Sequence, residues 1–227
     1  MQSLCLNLKK QLICIGYLTF RLGLSLRFRH VGVTRDQVIS YYMMQKFIKL
    51  SNEYGITVWV FGGTLLGAIR NQKFAGRPGD LDFFVRDNDF EKVRQILESE
   101  LFLESDLIRK LPLVGRTFRI NQQLSLGTST HNLFNFYFLG KTLQTFEIRT
   151  LTLRVHDGQR YFEFATIMNL EKRNRLLARE FEVLRKSQIY GVQVNVLEKS
   201  EEYLQSNYGS DWMIPIAGRK AIRELPS

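Results

Sequence analysis

Two aspartates, Asp80 and Asp82, flank a leucine in the run Asp80-Leu81-Asp82-Phe83-Phe84-Val85. The apolar residues that follow mark a strand from Leu81 to Val85, and a strand sends residues i and i+2 to the same face, with Cα atoms about 6.5 Å apart. Leu81, between them, turns to the core. Two carboxylates on one face repel each other unless a cation lies between them, and hard oxygen donors of this kind suit Mg²⁺ or Mn²⁺, which in turn bind substrate phosphates. Upstream stands Gly62-Gly63-Thr64. Without side chains at the two glycines, the backbone N–H groups can approach an anion at a helix start, where the helix dipole favours negative charge. Thr64 can cap that helix or bond a phosphate oxygen. Arg70 and Lys73, a little further on, are candidate phosphate partners.

Each motif alone is a common turn or strand edge. Their arrangement is more telling, because sixteen residues separate Gly63 from Asp80. A buried strand at Ile56–Phe61, a glycine turn, a short helix at Thr64–Arg70 and a strand carrying D-x-D is the layout of nucleotidyltransferase-type active sites. There the glycine turn holds a diphosphate or triphosphate and the carboxylates hold its metal.

Other elements must position these residues. Ile39, Met43, Phe47, Leu50 and Tyr54 recur at helical spacing, so residues 36–54 read as an amphipathic helix, capped by Thr34 or Asp36 and ended by Gly55. Asn88 is a candidate cap for a helix through Leu101, with Phe90, Val93, Ile96 and Leu97 inward. From Arg116 to Phe164 the pattern turns to strands, separated by turn signals at Gly127, Gly140-Lys141 and Asp157-Gly158. Residues 166–187 read as a charged amphipathic helix carrying Leu170, Leu177, Phe181 and Leu184. Val192, Val194 and Val196 alternate as a strand, and Glu198 to Tyr208 forms a last helix ending at Gly209. The order implies an α+β domain with a mixed or antiparallel sheet.

The run Gly63-Thr-Leu-Leu-Gly-Ala-Ile-Arg70, followed by Asn71, Lys73, Phe74 and Asp80-Leu-Asp82, resembles the signature of the LicD family of phosphotransferases. A second match joins Tyr203-Leu204, Tyr208-Gly209, Asp211-Trp212 and Pro215 to that family's C-terminal motif, so the likeness brackets residues 63–215. The resemblance implies a nucleotidyltransferase-like fold, a mixed sheet flanked by helices. It also implies metal-dependent transfer of a phosphorylated alcohol, phosphocholine-like, from a CDP-linked donor to a hydroxyl of a cell-surface glycan, teichoic acid or lipopolysaccharide sugar. Fukutin-type relatives transfer ribitol phosphate from CDP-ribitol. By the same likeness Asp80 and Asp82 are the catalytic metal ligands.

The chain also departs from that signature. Asn71 replaces a histidine, and Ala75 to Gly79 lack the tryptophan and extra acids, with Arg77 among them. In His131-Asn-Leu-Phe-Asn135, Asn135 occupies the place of a third carboxylate. Asn135 and Glu147, in Thr-Phe-Glu147-Ile-Arg, are the two candidates for a third ligand. These departures motivate an alternative, a catalytically degenerate relative that acts as a binding or scaffold protein.

Composition bounds the rest. The chain has 227 residues, with 44% hydrophobic, 24% charged and a formal charge of +10. Disorder, collagen-like repeats and a disulfide scaffold are excluded. The charge first suggests an anionic partner, but its distribution disfavours nucleic acid. Residues 1–35 hold Lys9, Lys10, Arg21, Arg27, Arg29 and Arg35 and no acid, the tail from residue 217 is +2, and the body at 36–216 keeps only +2 of the +10. The N-terminal segment is also rich in leucine and isoleucine. Arg21 interrupts its apolar run, which argues against a spanning helix. Two readings remain: an interfacial helix lying on an anionic membrane, or a first helix docked on the protein's own core. The only cysteines are Cys5 and Cys14. A cytoplasmic protein, peripheral to a membrane through residues 1–30, is the expectation.

Overall fold

A computed structural model describes residues 2–100, 119–126, 129–138, 141–164 and 174–216. The basic tail, the start of the expected meander at Arg116 and the turns at Gly127 and Gly140 lie outside these residues. Among the described residues nine strands form a mixed sheet in the order β3-β4-β5-β2-β1-β9-β8, with β6 paired to β5 and β7 paired to β6. Together with its helices this is an α+β architecture. The central strands are β1 (Val58–Val60), β2 (Asp80–Arg86) and β5 (Lys141–His156). β1 runs antiparallel to β2 and β2 parallel to β5. On one side β3 (Arg119–Leu126) and β4 (Ser129–Phe138) continue the sheet antiparallel. On the other, β8 (Arg185–Ile189) pairs antiparallel with β9 (Val192–Val196), which lies parallel to β1.

β5 does two jobs because it is long. Its first half lies between β2 and β4, and its second half, Thr152–His156, turns back through Asp157-Gly158 to pair with β6 (Gln159–Phe164). Both turn residues have positive φ, 50° and 75°, the geometry an Asp-Gly hairpin turn demands. β7 (Asn174–Leu177) extends this second ribbon.

The core face of the central strands is aromatic. Phe47 of α2 (Val38–Glu53) packs on Phe83 and Phe146, with ring centroids 4.8 and 5.3 Å away. The opposite face carries the polar residues of interest near the start of β2 and, further along, a cluster of Trp59, Phe84, Phe164 and Phe181. α3 (Gly62–Arg70) and α6 (Ser200–Tyr208) pack against each other there.

Several expectations are corrected. The helix over 166–187 is not formed where the residues are described: β7, the single turn α5 (Arg179–Glu182) and β8 occupy 174–189 instead. Leu177, Phe181 and Leu184 had the helical spacing, but β-sheet pairing to β6 and β9 prevails over it. Phe181 is buried and Leu184 exposed, so these three do not share one inward face. Residues 166–173 lie outside the described set. Neither Thr34 nor Asp36 caps α2; the helix begins after Gln37, and Asp36 pairs with Arg21. Asn88 likewise is no cap. It lies in a 3₁₀ turn, Asp87–Asp89, ahead of α4 (Phe90–Gln95), which passes into a π turn at Ile96–Glu100. Val93, Ile96 and Leu97 are nevertheless buried as the spacing predicts.

The N-terminal segment is one helix, α1 (Gln2–Arg27). Leu24 and, just beyond it, Phe28 enter the core, with Tyr17 and Phe20 packed at its edge. Phe28 meets Tyr41 of α2 edge-on at 5.0 Å. Among the described residues no helix is long and apolar enough to cross a membrane.

Candidate metal centre

Parallel pairing of β2 with β5 sets the centre. The register aligns Asp80 with Thr145 and Asp82 with Glu147. Residues in register on neighbouring strands send their side chains to the same face, so Asp80, Asp82 and Glu147 converge. One ligand oxygen from each lies within 4.8 Å of the others. Asp80 is exposed, Glu147 half-buried and Asp82 buried, which gives the cluster one open side. Of the two candidates for a third ligand, Glu147 joins the cluster. Asn135, on β4, aligns with Thr145, whose hydroxyl donates to its Oδ1 at 2.6 Å.

The glycine turn is built around Asp82. The Thr64 N–H and hydroxyl both donate to Asp82 Oδ2, at 3.1 and 3.2 Å, and the Asp82 N–H donates back to the Thr64 hydroxyl at 2.9 Å. The Phe61 N–H reaches the Asp82 carbonyl at 3.2 Å. Thus the carboxylate of β2 satisfies the N-terminal donors of α3, as a capping side chain would, but from another strand. Gly62 has φ +54°, and a Cβ there would stand 2.9 Å from Asp82 Oδ2. Glycine is required at that position for both reasons. Gly63 is looser, at 3.6 Å from the same oxygen. Arg70 ends α3, six residues beyond Thr64 and hence about 9 Å along the axis from it, with its Nε buried and without a hydrogen-bond partner. Lys73 is exposed in the loop after α3, where its N–H donates to Asn71 Oδ1 at 3.3 Å. Within that loop Arg77 is exposed, and the Gly76 carbonyl accepts from the Gln37 side chain at 2.6 Å.

Three more side chains complete the surroundings. Arg149, two residues after Glu147 and on the same face of β5, reaches Glu147 Oε1 through Nε at 2.8 Å and Nη2 at 2.5 Å. Its guanidinium lies 4.5 Å from the centroid of the Phe61 ring, which fixes its plane. Tyr203 and Tyr208 of α6 are buried and feel the charges of Asp82 and Glu147. Burial is the main reason that the Tyr203 phenol is pushed up to about 12. Burial and the same carboxylates push Tyr208 above its ordinary value as well. Period-two spacing from Glu147 would have found Arg149. The tyrosines were legible as members of the C-terminal motif, but their spacing suited a core role equally well.

The electrostatics ask for a cation. Asp82 titrates well above the usual carboxylate range, first because it is buried and then because Glu147 and Asp80 crowd it; the Thr64 N–H and Arg149 offset part of this. Among the described residues, three carboxylates converge and Arg149 is set against one of them, Glu147. Oxygen donors with an excess of negative charge and one open side suit a hard divalent ion such as Mg²⁺ or Mn²⁺.

A comparison with protein families matches residues 55–176 to the domain described as LicD/FKTN/FKRP, nucleotidyltransferase domain. A search among curated proteins found no match. The matched stretch holds Asp80, Asp82, Glu147 and the glycine turn that grips Asp82, and it spans more than half of the sequence. The chain belongs to the LicD family.

Proposed function

We propose that the protein transfers a phosphorylated alcohol from a CDP-linked donor to a sugar hydroxyl of a cell-surface glycan, with Mg²⁺ or Mn²⁺ bound. The observation that carries this reading is the acidic cluster of Asp80, Asp82 and Glu147, set at the mouth of a glycine turn in a LicD-family domain. These three side chains would hold the ion. When bound, the ion would offset the charge of the donor's diphosphate and of the phosphoryl group in transit.

The remaining residues have separable roles. Thr64 and Gly62 fix the orientation of Asp82, so the carboxylate need not reorganise when the donor arrives. Arg149, held flat by Phe61 and anchored on Glu147, places a guanidinium beside the cluster where a diphosphate oxygen can be bound. Tyr203 stays protonated at neutral pH, so it serves as a hydrogen-bond donor rather than a base. Tyr208 does the same.

The test is a panel of CDP-linked alcohols, with choline and ribitol first, incubated with purified protein, Mg²⁺ or Mn²⁺ and a glycan acceptor. Release of CMP with transfer of the alcohol phosphate is expected, and Asp80→Asn and Asp82→Asn abolish it. Undiminished transfer in both variants would sink the assignment. Nucleotide binding without turnover on any donor would instead identify a catalytically degenerate binding protein.

A further inference from the structure

α1 has two apolar faces, and the fold uses one. At 100° per residue Tyr17, Phe20 and Leu24 fall together on the side packed toward α2. Ile15, Leu18, Leu22 and Leu26 recur at intervals of three, four and four on the opposite side, and are 59%, 55%, 52% and 65% exposed. They form a stripe about 16 Å long within an arc of about 80°. Isolated exposed leucines are ordinary, but an aligned row on one helix marks a surface that something covers.

The charge around the stripe selects the occupant. Residues 1–35 carry six cations and no acid. Asp36, from the following turn, neutralises Arg21, whose Nε also donates to the Arg35 carbonyl at 2.8 Å. Arg29, just after the helix, is exposed and has no acidic partner among the described residues, whereas Arg27 falls about 140° from the stripe and stacks on Phe28. A second copy of the chain laid along the same stripe would bring two acid-free, cationic segments together. An anionic surface gains from both features: its acyl boundary takes the leucines and its phosphates take Arg29. The helix is anchored to the body through Leu24, Phe28 and the Arg21–Asp36 pair, so it would lie in the plane of the interface rather than cross it.

We propose that the exposed stripe of α1, Ile15, Leu18, Leu22 and Leu26, flanked by Arg29 in an acid-free segment, is a docking surface for an anionic phospholipid bilayer. This does not depend on the catalytic reading.

The test is co-sedimentation of the full chain with vesicles of phosphatidylcholine alone and of equal parts phosphatidylcholine and phosphatidylglycerol. Binding to the anionic vesicles is expected, at least about tenfold tighter than to the neutral ones, and weakened by salt. Leu18→Gln with Leu22→Gln should weaken it by on the order of tenfold or more, because two exposed anchors are lost. Neither leucine is in the core, so circular dichroism and thermal melts should match those of the parent. Arg29→Gln should reduce the preference for anionic lipid and leave the residual binding to neutral vesicles. Failure to bind anionic vesicles overturns the proposal, as does binding that ignores the leucine pair. A concentration-dependent dimer that the leucine substitutions dissolve, seen by light scattering, also overturns it, since a second copy would then be the occupant.

Discussion

Asp82→Asn should make the metal-free protein more stable while it destroys the site. The carboxylate is buried, and its ligand oxygen lies within 4.8 Å of those of Asp80 and Glu147. Two unit charges at that distance repel by about 3.5 kcal/mol at an effective dielectric constant near 20. Arg149, close to Glu147, cancels part of this. Asparagine keeps an oxygen to accept from the Thr64 N–H and hydroxyl, so the joint with α3 survives. The net gain expected is about 1–2 kcal/mol at neutral pH, or a rise in Tm of roughly 3–6 °C for a domain of this size. Thermal melts with a chelator present, repeated with Mn²⁺, measure both halves of the effect. The parent should gain stability with Mn²⁺, whereas the variant should not. The gain should shrink in acid, where the parent's Asp82 is already protonated. A variant less stable than its parent at neutral pH, or one that still responds to Mn²⁺ as the parent does, refutes the reasoning.

The same carboxylate sets a pH dependence. Its folded pKa lies above the unfolded value, so its stabilising contribution is complete below the unfolded pKa and is lost as pH rises through the folded one. Metal-free protein should therefore lose stability over that rise, and Mn²⁺ affinity, measured by calorimetry, should increase over the same window as the proton is displaced. Gly67→Ala should destabilise by about 2–3 kcal/mol in urea melts even though alanine favours helices, since its Cβ would stand 2.3 Å from the Lys73 carbonyl oxygen and 2.9 Å from the Ala75 nitrogen; a neutral result would show that the 71–76 loop yields. Arg149→Gln should raise Mn²⁺ affinity, because the cation against Glu147 is gone, yet weaken CDP binding in the presence of Mn²⁺ by about tenfold or more through loss of a charge-assisted hydrogen bond. Unchanged CDP affinity would remove Arg149 from the donor site.

What was legible in the sequence was local. The D-x-D strand, the glycine turn and α2 follow from spacing over a few residues, and the burial of Leu81 between the aspartates follows from strand alternation. The third ligand was narrowed to Asn135 and Glu147 and no further. Bringing Glu147 beside Asp82 needs the register of β2 on β5, which pairs residues sixty-five apart in the chain. The partner of the glycine turn was hidden for the same reason, since the backbone donors at Thr64 meet a carboxylate supplied by the next strand. Residues 174–187 misled because Leu177, Phe181 and Leu184, apolar residues at helical intervals, also fit short strands and a turn, and only pairing with β6 and β9 decides between them.

The grip of α3 on Asp82 has a kinetic consequence. A ligand carboxylate pinned through Oδ2 by a backbone N–H and a hydroxyl, with Gly62 leaving no room for a side chain, is in place before any ion arrives. Capture of an ion should then proceed in one phase, paced by water exchange on the metal and not by rearrangement of the chain. The sheet–helix joint and the metal site are a single object, so whatever loosens one should slow the other.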